Sequence, residues 1–156
     1  MSRPGPIRTN RERGFTLFEV LITIVVVSIG LLGLAGLQFA GLRAANSAQE
    51  HTLAVYLAQD IEERIHANPG TSYGGINLDN TSTSANVSCD ASNDCNSSSM
   101  LAYDKDQWIQ MIHKPLLPNL AIDIDHHGTT PNDYYTTTLT WGNSDNKQTL
   151  TASFAP

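Results

Sequence analysis

The first chemical signal in this sequence is a carboxylate in apolar surroundings. Glu19 is the only charged residue in residues 15–42, FTLFEVLITIVVVSIGLLGLAGLQFAGL. An ionisable group inside such a run is expensive and marks a functional position whose partner must be named. Locally, Glu19 can complement the unpaired N–H groups and the positive dipole end of a helix start. The other groups able to do chemistry are few. Asp123, Asp125, His126 and His127 are of metal-ligand type. On a strand, however, Asp123 and Asp125 share a face and His126 does not, so a surface strand end explains them better than a metal site. Asp90, Asn93 and Asp94 offer oxygen ligands for calcium, without a recognised loop spacing. Asp104, Lys105 and Asp106 read as a solvated helix face. No nucleophile elbow, phosphate loop or zinc-protease motif occurs, so neither enzyme activity nor a cofactor or metal is expected.

Charge and hydropathy locate the elements that must hold these groups. Residues 20–42 are uncharged, and as a helix they reach about 34 Å, enough for a hydrocarbon core of about 30 Å. Residues 1–14 carry Arg3, Arg8, Arg11 and Arg13 against Glu12, a sum of +3 that leaves −9 of the −6 total on the remainder. Basic residues before the apolar run and acids beyond it put the N-terminus in the cytoplasm and the rest outside. A cleaved secretory signal fits poorly, because the run is long and no clear small-x-small site follows it. A plain single-pass anchor fits the length and flanks but leaves Glu19 unexplained. The 156 residues suit one domain, and 40% hydrophobic content excludes a disordered chain. Two cysteines exclude a disulfide-dense miniprotein. The acidic balance, with only Lys105, Lys114 and Lys147 as lysines, argues against nucleic-acid binding.

The junction Arg11-Glu12-Arg13-Gly14-Phe15-Thr16-Leu17-Phe18-Glu19 resembles the N-terminal signal of type IV prepilins and pseudopilins. The resemblance implies a leader, residues 1–14, removed by a prepilin peptidase between Gly14 and Phe15. It also implies N-methylation of Phe15 and an assembly role for Glu19. Cleavage would free an α-amine on Phe15, a cation among apolar side chains. In a fibre of staggered parallel helices, Glu19 of one subunit can neutralise the amine of another, so neither charge is buried alone. Gly30, Gly33, Gly36 and Gly41, with Ala35 and Ala40 nearby, would let such helices approach closely.

Beyond Arg43 the helix turns amphipathic. Leu53, Leu57, Ile61 and Ile65 repeat at four, widened by Ala54 and Ala58, while Glu50, Gln59, Asp60, Glu62 and Glu63 stay polar. Asn68-Pro69-Gly70 ends the pattern. Residues 16–67 thus read as one helix of about 78 Å. Its stem is 15–42, its amphipathic half 43–68, and a globular head follows over 69–156. Residues 71–100 hold sixteen Ser, Thr or Asn in thirty positions, a surface loop by composition. An exported location favours a disulfide, and with no other cysteine to compete, Cys89 pairs with Cys95 if one forms. The rival two-cysteine metal site lacks further ligands nearby. Ser98 or Ser99 caps a helix carrying Leu101, Trp108, Met111 and Ile112, which ends before Pro115. Residues 120–125 alternate as a half-buried strand. Tyr135, Thr137, Leu139 and Trp141 line one face of a second strand. After a turn at 142–146, Leu150, Ala152 and Phe154 line a third. The expected class is α+β, a type IV pilin fold: a long N-terminal helix packed on a small antiparallel sheet of three or four strands, with an αβ-loop and one disulfide.

The head adds a looser resemblance. Cys95 precedes Ala102-Tyr103-Asp104-Lys105-Asp106-Gln107-Trp108, and Leu116-Leu117-Pro118 leads into an alternating strand. With the early block LLGLAGLQ over 31–38, this resembles the PilV group of minor pilins. Ser-Ser-Met stands where that group has Pro-Ala-Gln, and its glycine-rich turn after Leu-Pro is absent. The resemblance implies a structural role: priming or supporting type IV pilus assembly at the tip, in pilus biogenesis, adhesion and twitching motility. The partners implied are the prepilin peptidase, other minor pilins, the major pilin and a tip adhesin, with no nucleic acid. The implied location is single-pass in the inner membrane, N-terminus cytoplasmic and head periplasmic, and then the extracellular pilus. A minor pseudopilin of a type II secretion system would share the N-terminus. A DNA-uptake pilin is disfavoured by the acidic head, and an anchored enzyme by the want of a site.

Overall fold

One helix, α1 (Leu17–Ala67), carries both the apolar run and the amphipathic stripe. The computed structural model describes residues 14–89, 95–114, 116–128 and 133–156. After α1 come β1 (Ile76–Leu78), α2 (Ser97–Ile112), β2 (Ala121–His127), β3 (Tyr134–Trp141) and β4 (Gln148–Phe154). The chain divides into two compact units, Met1–Ala44 and Ala45–Pro156.

In the first unit the helix starts at Thr16. Its carbonyl accepts from the N–H groups of Glu19 and Val20, and its Oγ1 accepts from Glu19 N at 3.3 Å. The hydroxyls of Thr23 and Ser28 donate to the carbonyls of Glu19 and Ile24, four residues back. Neither donor is therefore left unmet in an apolar setting. The large apolar side chains from Phe15 to Leu42 are exposed, Leu17 by 84% and Leu32 by 74%. The helix is long and apolar enough to cross a membrane.

In the second unit the strands form one antiparallel sheet in the order β1-β2-β3-β4. Ile122 and Ile124 of β2 pair with Leu139 and Thr137 of β3, and alternation turns these four toward the core, each 0% exposed. The stripe of α1 lies in that same core: Ala54, Leu57, Ala58, Ile61 and Ile65 are buried with Trp108, Ile109 and Ile112 of α2. Burying a Leu or Ile of this kind contributes about 1.5–3 kcal/mol, and this sets which side of the helix faces the sheet. The β3–β4 turn depends on Gly142, whose φ is 101° and whose missing Cβ would lie 2.3 Å from the Asn146 carbonyl oxygen.

Three sequence-based expectations change. The polar stretch after Gly70 is not all surface loop: Tyr73, Ile76 and Leu78 are buried, and β1 adds the fourth strand by pairing with β2. Composition averaged over thirty residues hid three buried side chains, of which Ile76 and Leu78 alternate along β1. The α2 cap is Asn96 rather than Ser98 or Ser99; its side chain accepts from Ser99 N at 2.9 Å, so Ser99 supplies the N–H that the cap satisfies. β2 runs on to His127, because His126 and His127 pair with Tyr135 and Tyr134 instead of leaving the sheet.

Candidate functional site

At the start of α1 the sequence Thr16-Leu17-Phe18-Glu19 places Glu19 at the third helical position, where its own N–H is met by Thr16. Its carboxylate is another matter. Glu19 is exposed, and no hydrogen-bond donor or cation among the described residues meets its side chain. Gly14 and Phe15 are exposed just before the helix, Phe15 by 82%. The first turn thus presents an unpaired acid one helical turn from Phe15, with apolar side chains around both. At Gly30, Gly33, Gly36 and Gly41 an added Cβ would meet nothing within 4 Å, so the subunit's own packing does not call for glycine there.

The second unit contains a buried polar network that the sequence reading missed. Asp104, 2% exposed, accepts from Arg64 Nη1 at 2.8 Å and from the Tyr73 hydroxyl at 2.5 Å. Arg64 Nε also donates to Asp60 Oδ2 at 2.8 Å, and the same oxygen accepts from Trp108 Nε1 at 3.2 Å. Asn68 donates to the Tyr73 hydroxyl and to the Ser97 carbonyl. One cluster therefore ties the end of α1, the following loop and α2 together. Burial and the hydrogen bond to Asp104 push the Tyr73 phenol up to about 12. For Arg64, burial works downward, but the hydrogen bonds and charges of Asp104 and Asp60 outweigh it and the net direction is up. Every member is paired, as a buried polar cluster requires.

Asp106, also 2% exposed, does a second tying job. Its Oδ1 accepts from the Ser84 hydroxyl and from the N–H groups of Ala85 and Asn86, and Oδ2 accepts from Gln110. The Ser84 hydrogen bond leads the causes that hold its carboxyl below the usual range; burial opposes it, and the Ala85, Gln110 and Asn86 bonds reinforce it. Asp104 and Asp106 are thus not a solvated face. The signal was present: Asp104 is four residues before Trp108 and Asp106 three before Ile109, so both lie on the sides of α2 that carry core residues. Tyr73 and Arg64 had no comparable local signal, being brought to Asp104 from 31 and 40 residues away.

The remaining sequence candidates are dispersed. Cys89 and Cys95 form a disulfide; Asp90, Asn93 and Asp94 lie outside the described residues, as does the leader up to Arg13. Asp123 and Asp125 pair with Thr138 and Thr136 across β2 and β3. His126 contacts Asp133 and stacks on Tyr135, while His127 stacks on Tyr134. Among the described residues no group of three potential metal ligands converges.

Two family comparisons bear on this arrangement. Residues 9–35 match the prokaryotic N-terminal methylation motif, and residues 36–105 match the family described as type IV pilin Tt1218. The chain is type IV pilin-like. Its long N-terminal helix, four-stranded antiparallel sheet and single disulfide make up the type IV pilin α+β fold. The methylation motif of this pilin-like chain implies processing by prepilin peptidase and assembly with other pilins, and the apolar helix fits membrane anchoring before that assembly. No curated protein and no solved structure matches it.

Proposed function

We propose that this pilin-like chain is a minor pilin of a type IV pilus, of the PilV kind. It is made as a membrane-stored prepilin, cut between Gly14 and Phe15, methylated on Phe15 and placed at the filament tip. There it primes or supports assembly beside other minor pilins, the major pilin and an adhesin. Pilus biogenesis, adhesion and twitching motility depend on it in this reading. The observation that carries the proposal is the exposed, unpaired Glu19 carboxylate one turn from the processing junction, on a capped and apolar helix. A free carboxylate there is costly in an apolar setting unless another subunit supplies a cation. The Phe15 amine of a neighbour is the cation of the right sign and place. The Cys95-to-Trp108 resemblance supports the minor-pilin assignment. The catalytic alternative has no support in the buried carboxylates, since each is already occupied in tying elements together.

The test pairs processing with incorporation. In cells with a prepilin peptidase, intact-mass measurement should find a mature chain lacking residues 1–14 and carrying one added methyl. Sheared filaments should contain it at low abundance. Glu19→Ala should be processed normally yet drop at least tenfold in the filament fraction, and Gly14→Asp should remain uncut. Wild-type incorporation of Glu19→Ala would refute the role given to Glu19. A mature chain absent from filaments but required for type II secretion would move the assignment to a pseudopilin.

A further inference from the structure

The two edges of the sheet are unlike. A free edge presents unpaired N–H and C=O groups, and proteins ordinarily blunt it with short length, proline, charge or a bulge. β1 is blunted by length, having three residues. β4 has seven, QTLTASF, with neither a charge nor a proline. Its pairing with β3 runs without a bulge from Tyr135↔Phe154 to Trp141↔Gln148. β4 ends the strand order, and no described residue hydrogen-bonds to the backbone of its outer edge.

Its two faces state what would fit beside it. The outer face is uncharged and hydroxyl-lined: Thr149, Thr151 and Ser153 are exposed and lie opposite Thr140, Thr138 and Thr136, with Thr136 and Ser153 hydrogen-bonded at 3.3 Å. On the inner face Leu150, Ala152 and Phe154 pack against the core but are only partly buried. An added strand with small hydroxyl residues outward and aliphatic residues inward would meet the first set and finish covering the second.

We infer that β4 is a docking edge for an extended, uncharged, alternating Ser/Thr and aliphatic segment of a different pilus chain, which joins the sheet as a fifth strand. A second copy of this chain pairing β4 against β4 is the wrong occupant. Antiparallel self-pairing has its two-fold axis perpendicular to the sheet and would run the sheet-packed stripe of α1, Ala54 to Ile65, in opposite directions in the two copies. Two subunits anchored in one membrane by their N-terminal helices cannot adopt that arrangement; this exclusion rests on the proposed function. Docking by strand addition draws its affinity from main-chain hydrogen bonds and its selectivity from alternate side chains.

The test uses the full-length chain in piliated cells, with a photoreactive amino acid placed in turn at 149, 151 and 153. The expected result is an adduct with one peptide of another chain. The contact point should step by two residues along that peptide each time the probe steps by two along β4. Thr151→Lys should cut the adducts at 149 and 153 at least tenfold, with unchanged Tm and unchanged cleavage after Gly14, while Thr151→Val should retain them. No adduct, adducts scattered over many peptides, adducts to a second copy, or indifference to Thr151→Lys would overturn the inference. A chain found in filaments without an ordered adduct sinks this inference alone. An ordered adduct on a chain that never enters filaments supports the docking edge and sinks only the pilus assignment.

Discussion

Replacing Asp104 by alanine removes a 2%-exposed carboxylate that accepts from both Arg64 and Tyr73. Breaking a buried ion pair by deleting one partner costs about 3–5 kcal/mol. Here the lower end applies, because Arg64 is 29% exposed at its side chain and keeps Asp60 at 2.8 Å. The Tyr73 hydroxyl, on a residue 0% exposed, loses the one acceptor it has among the described residues and is left with the Asn68 amide, itself a donor. The net expectation is about 3 kcal/mol for Asp104→Ala. Asp104→Asn, which keeps one oxygen acceptor, should cost about 1–2 kcal/mol. For a folded unit of this size, about 3 kcal/mol corresponds to a Tm lower by about 12 °C. Trp108 reports the change, since its ring lies 6.0 Å from that of Tyr73 and its indole donates to Asp60. Unfolding of the detergent-solubilised chain is followed by Trp fluorescence for wild type, Asp104→Ala, Tyr73→Phe and the double variant. The double should cost less than the sum by about 1 kcal/mol or more, because the orphaned hydroxyl is gone. A loss under about 0.5 kcal/mol for Asp104→Ala, the range of ordinary surface changes, would refute the network's role. So would strict additivity.

Further outcomes follow from the same geometry. The Tyr73 phenol lies above its ordinary value of 10.0, at about 12, so its contribution is full below pH 10 and is lost as pH rises toward 12. Absorbance titration should find one of the five tyrosines ionising last, with unfolding in that window, and Tyr73→Phe should abolish the late step. The carboxyls of Asp79, held down chiefly by the Thr81 hydroxyl, and of Asp106 lie below 3.8. Their contribution is present above that value and is lost as pH falls through the lower folded value, so Asp106→Asn should flatten the acid limb of stability against pH. Asp106→Ala should also speed proteolytic cutting between residues 80 and 89, since Ser84, Ala85 and Asn86 lose their common acceptor. Cys95→Ser opens a loop with a sequence separation of 6 and should cost about 2 kcal/mol, the low end expected for so short a closure; an unchanged midpoint in denaturant would contradict this.

The methylation motif and the apolar helix that follows it were legible in the sequence because their physics is local. A lone acid in an apolar helix, basic residues before it and a Gly-Phe junction occupy consecutive positions and need no partner from elsewhere in the chain. The amphipathic stripe of α1 and the alternation of β2, β3 and β4 were legible for the same reason, since burial repeats at fixed periods of 3.6 and 2. Where short stretches of period met a polar composition, as at β1, the average concealed the strand.

What the sequence by itself determined is therefore the class of the molecule: an apolar helix with a methylation motif, then an α+β head. The tertiary structure decided what the charged residues of that head are for. Asp60, Asp104 and Asp106 read as polar surface along the chain, and Arg64 and Tyr73 carried no local signal. Only the packing of α2 and the loop against α1 brings Asp60, Arg64, Tyr73 and Asp104 into one network and gives Asp106 the Ser84–Asn86 segment to hold. The open edge of β4 was decided in the same way, because an unpaired strand is a property of sheet order and no single strand's sequence records which neighbours it lacks.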